Sequence, residues 1–300
     1  VTFGTEVTYY STLEKAFAYA NSLATTSSKN ATVTILVASI TVSSKIVVST
    51  GKFINLTSSV STTIARQGNP LVLHNYATLN IYGTDSISIT FQGDENNERL
   101  MYNETEGSLT LGKNVILTGN KTSVVGGAIY NKGTLTINGA SITNNTADYG
   151  GAIGNVGTIT INSGTISGNS STTHGGAIIM DAGTITIVDG TFSGNSGNNG
   201  GFLASSNSPK VIVKGGTFEN NTAGAYGGAL DISGTAEITG GLFKNNKAYG
   251  GGAMSHVQDA ESFITITGGT FESNSATVAG AVIIHNGTIG GSAVFKNNTA

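Results

Sequence analysis

The chain has no cysteine and no tryptophan, only 2 prolines in 300 residues, and just 10% charged side chains. Each shortage removes a class of protein. Without thiols there is no disulfide staple, thiolate zinc site or cysteine-ligated iron–sulfur cluster. A cysteine-free chain fits a bacterial or archaeal surface protein better than an animal extracellular module. Disorder calls for high charge and few β-branched residues, and neither holds here. The 14 Lys and Arg residues form no run dense enough to grip a phosphate backbone, so nucleic acid is not an expected partner. No apolar stretch reaches the roughly 18 residues that cross a bilayer as a helix. No signal peptide opens the sequence at Val1, which leaves a cytosolic, mature or excised chain.

What the chain does have is 43 glycines among many Thr, Ile, Val, Ser and Asn, the residues of strands and tight turns. They are ordered in a repeat. Gly-Gly-Ala-apolar units begin at Gly126–Gly127, Gly150–Gly151, Gly175–Gly176, Gly227–Gly228 and Gly251–Gly252, with variants at Gly200–Leu203 and Ala279–Val282. An apolar-x-x-Asn unit runs in step: Leu117/Asn120, Ile142/Asn145, Ile166/Asn169, Phe192/Asn195, Phe218/Asn221, Phe243/Asn246, Phe271/Asn274 and Phe295/Asn298. Successive asparagines of this series lie 24 to 28 residues apart. Between the two units falls an alternating segment such as "TLTI" (134–137), "TITI" (158–161) or "FITI" (263–266).

Three short extended segments in about 25 residues leave no room for a helix. The expected fold is therefore all-β: a single-stranded right-handed parallel β-helix of roughly 11 coils, about 50–55 Å long at the usual strand spacing. Phe192, Phe218, Phe243, Phe271 and Phe295 would stack down the interior, with Ile142 and Ile166 continuing the file. The repeat asparagines, Asn145 through Asn298, would ladder through the corners in the left-handed conformation. The glycine pairs would supply positive φ and room for the next coil. Were Ile129 and its equivalents to point inward, alternation would send the Ala128 file outward as a flat lane.

Residues 1–30 read as an N-terminal cap, with a helix over about 12–24 whose capping box is Ser11 and Glu14 and whose apolar face is Leu13, Ala16, Phe17 and Ala20. Residues 31–116 read as irregular early coils, with strands near 32–37, 46–49, 71–73, 79–82, 87–91 and 108–112. Residues 117–300 are the regular coils. Their last segment, "FKNNTA", stops where another glycine pair is due, so the expectation is a chain that continues.

The paired GGA(I/L/V) and FxxN motifs resemble the repeat of the chlamydial polymorphic outer-membrane proteins and of adhesin-like β-helix proteins of gut anaerobes and methanogenic archaea. All are similar to the pectin-lyase-like superfamily. The resemblance covers residues 117–298 and implies a bacterial or archaeal cell-surface protein that attaches to a host, a glycan or neighbouring cells. The chain lacks the cysteines and barrel segment of the chlamydial proteins, which points toward the anaerobe or archaeal group. A fibre segment stacking end to end is the structural alternative, and a polysaccharide lyase or hydrolase the enzymatic one.

Motifs for chemistry are sparse, and no catalytic residue, metal or cofactor is expected. The densest acidic stretch, "GDENNERL" (93–100), reads as a solvated loop. Asp148, Asp189, Asp231, Glu237 and Glu272 stand at differing registers. His74, His174, His256 and His285 have no ligand-like spacing and read as surface or turn residues. A strand, not a helix, follows each glycine pair, which rules out a phosphate loop. Outward pairs Thr134/Thr136, Thr158/Thr160 and Thr184/Thr186 suggest a water-ordering array, broken at Lys210/Ile212. Nine N-x-S/T sequons, Asn103, Asn120, Asn144, Asn169 and Asn220 among them, follow from composition. The ligand surface expected is Tyr149, His174, Tyr226 and Tyr249 beside the glycine pairs, flanked by longer connections at 205–210 and 255–261.

Overall fold

A computed structural model describes residues 1–23, 25–68, 71–95, 97–256 and 262–300. Each repeat makes one turn of a parallel β-solenoid of about ten turns, preceded by a single short helix. In one turn, strand Ile129–Asn131 belongs to a 10-stranded sheet, and Thr134–Thr143 rounds a corner between two further faces. In later turns that long strand divides, as into Thr184–Ile187 and Thr191–Ser193. Stacked strands are parallel and in register, with Ile137 beside Ile161 and Ile142 beside Ile166.

A fourth strand per turn was not legible. It forms a 6-stranded sheet from Thr146–Tyr149 to Ser275–Val278, between the ladder asparagine and the glycine pair. Its sequences, such as "SSTTH" and "SGNN", carry no apolar alternation. Small inward residues such as Ala147, Ala223 and Ala248 suffice there, because coil-to-coil backbone bonds hold the segment.

The interior is built from files. Phe218, Phe243, Phe271 and Phe295 stack nearly parallel with centroids 4.6–4.7 Å apart. Phe192 adjoins Phe218 at 4.7 Å. The register carries the file on through Ile166, Ile142, Leu117, Phe91, Ile64 and Ile40. Each fully buried Phe contributes roughly 2–3 kcal/mol of apolar burial.

The asparagine ladder is continuous. Asn145, Asn169, Asn195, Asn221, Asn246 and Asn274 each pass their amide N–H to the next carbonyl Oδ1 at 2.9–3.1 Å. The same Oδ1 atoms accept the backbone N–H of the preceding asparagine, as from Asn195 to Asn221 at 3.0 Å. One expectation is corrected: the ladder residues are not themselves left-handed. Positive φ falls one residue earlier, at Gly119, Asn144, Gly168, Gly194, Asn220, Asn245, Ser273 and Asn297. The bend is made by that preceding residue, so the asparagine behind it can turn wholly inward.

The last members of both files are less covered than the rest. Phe295 and Asn298 were expected in the interior, but Phe295 is 39% exposed and Asn298 only half-buried. Both keep their places in the stack. Asn298 accepts from the side chain and backbone of Asn274 at 2.9 Å and donates to Phe271 O at 2.8 Å.

The glycine pair divides its labour. The first member is left-handed, with φ from 58° to 77° at Gly126, Gly150, Gly175, Gly200, Gly227 and Gly251. The second stands against the next turn: a Cβ on Gly127, Gly176, Gly201, Gly228 or Gly252 would lie 2.0–2.1 Å from a backbone oxygen. The Ala128 file, expected outside, is fully buried at Ala128, Ala152, Ala177, Phe202, Ala229 and Ala253. The N–H groups of Ala128 and Ile129 both donate to Ala152 O, at 2.8 and 2.9 Å. The chain is still rounding a corner there, so two consecutive side chains face inward and alternation begins only afterwards.

The helix spans Leu13–Ser22 and buries the predicted face. Its N-cap is Thr12, which accepts from Lys15 N, and not Ser11. Glu14, freed from that role, instead accepts the Ser43 N–H at 3.0 Å. Asn21 clamps the helix to the first turn by donating to Val47 O and accepting from Ser49 N. An antiparallel hairpin, Thr2–Phe3 with Glu6–Val7, pairs with Ala31–Ile35 and covers that edge. The early strands lie near the predicted ranges, and Ser39–Val42, Phe53–Ser58, Thr62–Arg66, Met101–Asn103 and Val115–Thr118 complete those turns.

Candidate functional site

With backbone groups spent in ladders, recognition on this rod falls to outward side chains. On the 6-stranded sheet, Tyr149, His174, Asn199 and Tyr226 share one register position, and Gly250 follows. Tyr249 stands one residue off that file. The rings of Tyr149 and His174 lie 5.8 Å apart and those of Tyr226 and Tyr249 6.4 Å apart. Tyr149, Tyr226 and Tyr249 are exposed by 39%, 44% and 52%. The four residues predicted as a ligand surface thus lie along one side of the rod as two ring pairs, separated by Asn199. The connection at 206–209 carries Asn207 and Ser208 at φ 57° and helps wall a recess of about 210 Å³ shared with His174 and Asp231. Residues 257–261 of the other predicted connection lie outside the described residues.

The 10-stranded sheet presents a second outward surface that sequence reasoning missed. His74, Tyr102 and Tyr130 occupy one register position on adjacent strands. Ring centroids are 4.9 Å apart for His74 and Tyr102 and 5.3 Å for Tyr102 and Tyr130, with Tyr76 stacked on His74 at 4.3 Å. The Arg99 guanidinium lies 5.3 Å from the Tyr102 centroid and 5.1 Å from that of Tyr130. Lys132 also approaches Tyr102, at 5.1 Å. Glu104 meets His74 Nε2 at 2.8 Å and Lys132 at 3.6 Å. His74 is therefore no isolated surface residue. The signal was the triplet "LHN", "MYN", "IYN" at 28-residue spacing.

The third residue of those triplets forms a second ladder inside: Asn75 to Asn103 at 2.8 Å, Asn103 to Asn131 at 2.7 Å and Asn131 to Asn155 at 2.6 Å. Further along, the outward position passes to Ile179, Ala204, Asp231 and Ser255. Asp231 is 4% exposed, and burial pushes its carboxyl up to about 6, against the hydrogen bond it accepts from Ser255 Oγ at 2.5 Å. His256, expected at the surface, is buried because its strand position faces the interior.

The acidic stretch at 93–100 is a brace more than a solvated loop. Arg66, with no side-chain exposure, pairs with Asp94 at 2.5 Å and donates to Glu98 O, Arg99 O and Asn120 Oδ1. It thereby closes the N-terminal end of the first asparagine ladder. Glu95 pairs with Lys121, and Glu98 lies 3.8 Å from Arg99. Among the described residues no cluster of three or more His, Asp or Glu is placed to hold a metal ion. Asn103, Asn120 and Asn169, three of the sequons, are buried ladder members, while Asn144 and Asn220 are exposed. The Thr lane runs in register from Ser108/Thr110 to Thr184/Thr186 and ends at Lys210/Ile212.

No helix among the described residues is long and apolar enough to cross a membrane. Searches of curated proteins and of solved structures found no match. Residues 114–132 match a family model described as Chlamydia polymorphic membrane protein (Chlamydia_PMP) repeat. That stretch holds Leu117/Asn120 and Gly126–Ile129, the two motifs whose stacking builds the rod. With the stacked parallel turns, this match supports a β-helix repeat protein that carries a repeat of the polymorphic-membrane-protein type.

Proposed function

We propose that the protein is a non-catalytic, surface-displayed attachment protein, a rod whose interior supplies stiffness and whose outward side chains meet a host, a glycan or a neighbouring cell. The observation that carries this reading is the placement of exposed rings along a laddered shaft. Tyr149, His174, Tyr226 and Tyr249 line one side of the rod, on strands whose main-chain groups are already paired. Aromatic side chains with one polar end are the residues that binding surfaces favour. The match to a repeat found in polymorphic membrane proteins agrees with display outside the cell.

Beads coated with the protein should adhere to a cell panel, and the double variant Tyr149→Ala/Tyr226→Ala should lower bead retention at least fivefold without moving the melting temperature. Retention equal to the parent would remove this side of the rod from the interface. Absence of retention by the parent on every cell type would overturn the attachment reading.

A further inference from the structure

The cluster on the 10-stranded sheet has a composition and a geometry of its own. Three rings stand in register across adjacent strands, His74, Tyr102 and Tyr130, and form a platform along the rod. Two cations flank it. Arg99 reaches over Tyr102 and Tyr130, and Lys132 over Tyr102. Glu104 is shared between His74 and Lys132, and Glu98 lies beside Arg99.

Arg99 is the informative member. Its Nε is buried and has no hydrogen-bond partner, and its nearest acid, Glu98, lies 3.8 Å from Nη1, beyond hydrogen-bond distance. That carboxylate is already engaged by the Arg99 backbone N–H at 2.9 Å. With Nε buried, the outer Nη edge of this planar fork is the one a ligand reaches, and that edge takes a carboxylate or a sulfate through two parallel hydrogen bonds. Ring stacking holds the fork in place before a ligand arrives, which lowers the entropy cost of binding.

Two kinds of partner carry such anions, an acidic peptide and an acidic sugar. A peptide docking on a β surface gains affinity mainly through main-chain pairing at a sheet edge. Here the platform lies on the face of a sheet whose strands are paired on both sides, from Leu73–Asn75 through Met101–Asn103 to Ile129–Asn131 and beyond. A sugar needs no backbone partner: its C–H faces lie on rings and its charged group on the guanidinium. We infer that Arg99, Lys132, Tyr102 and Tyr130 form a binding site for an anionic sugar, one bearing a carboxylate or a sulfate. This inference deepens the attachment reading and rests on it for its biological use, though not for its chemistry.

The test uses the full chain and four immobilised probes: a hyaluronan octasaccharide, a heparin octasaccharide, chitopentaose as neutral control, and a poly-glutamate peptide. One or both acidic sugars should bind and weaken as salt rises, and the difference between them identifies the anion. Arg99→Gln, Lys132→Gln and Tyr130→Ala should each reduce affinity at least tenfold, and Tyr130→Phe should not. Melting temperatures report folding. Lys132→Gln removes a side chain 36% exposed and carries the test should Arg99→Gln not fold. The assignment falls if neither acidic sugar binds, if the variants bind like the parent, or if chitopentaose or poly-glutamate binds equally well. Bead retention separates the two readings. Retention that persists in the Arg99→Gln variant keeps attachment and discards this site as its agent. Sugar binding by a parent that retains no cells keeps the site and discards attachment.

Discussion

Asn195 donates its amide to Ile166 O and Asn221 Oδ1, and its own Oδ1 accepts both the backbone and side-chain N–H of Asn169. Leucine has the same branched heavy-atom skeleton and can do none of this. Asn195→Leu should therefore cost about 4 kcal/mol in chemical denaturation, as several buried polar groups lose partners together. Thr235→Ala on the exposed face should stay within about 0.5 kcal/mol, and equal losses for the two would refute the ladder's energetic role. Asp231 titrates in the opposite sense to most paired carboxylates. Its folded value is about 6 against an ordinary 3.8, so below about pH 4 both states hold the proton. As pH rises from about 4 to 6 the unfolded chain releases its proton first, and stability falls; above that the penalty is complete, roughly 3 kcal/mol. Asp231→Asn should abolish this fall, and denaturation curves at pH 4, 5, 6 and 8 that run parallel for parent and variant would contradict it.

The two corners that bound the 6-stranded sheet show how an element's demands sort two glycines. Gly228 has no room: a Cβ would stand 2.0 Å from Gly252 O, so the turns would have to part. Gly228→Ala should destabilise by about 3 kcal/mol, at the upper end for overpacking. Gly194, at the corner before the 6-stranded sheet, has φ +63° and open space for 4 Å around the place a Cβ would take. Asn holds the matching position at 144, 220 and 245. Gly194→Asn should therefore be neutral within about 0.5 kcal/mol, because asparagine tolerates the left-handed region. Thermal melts of the two variants side by side check both statements, and a large loss at Gly194 would reject the corner assignment. The period marked Gly228 as one of a repeated pair and did not single out Gly194. That one answers to its own φ and the other to the next turn's carbonyl needed the stacked coils.

At the scale of the whole molecule, stability comes from each turn's contact with its neighbours, as in any solenoid. The helix and hairpin at the N-terminal end serve that scheme by covering the first turn's apolar side chains and its unpaired edge. Arg66 performs the same service for polar groups. It satisfies Asn120 Oδ1, the ladder's first acceptor, and its charge is met by Asp94. The side of the rod where sugars or cells would be met follows from which faces carry protruding rings.

The amino-acid sequence by itself determined the parallel β-helix, the Phe and Asn files and the apolar face of the capping helix. Each follows from a period, and a period survives without knowledge of what lies across the core. Tertiary structure decided what depends on partners far along the chain. Ala128 faces inward because two N–H groups share one carbonyl of the next turn. Asp231 is buried at a position where alternation alone would leave it wet. Arg99 meets Tyr130, and Arg66 meets Asn120, 54 residues on, only because coils bring distant segments within a hydrogen bond of each other. Repetition sets a residue's place within its own turn, and the neighbouring turns set whether that place is core, brace or binding surface.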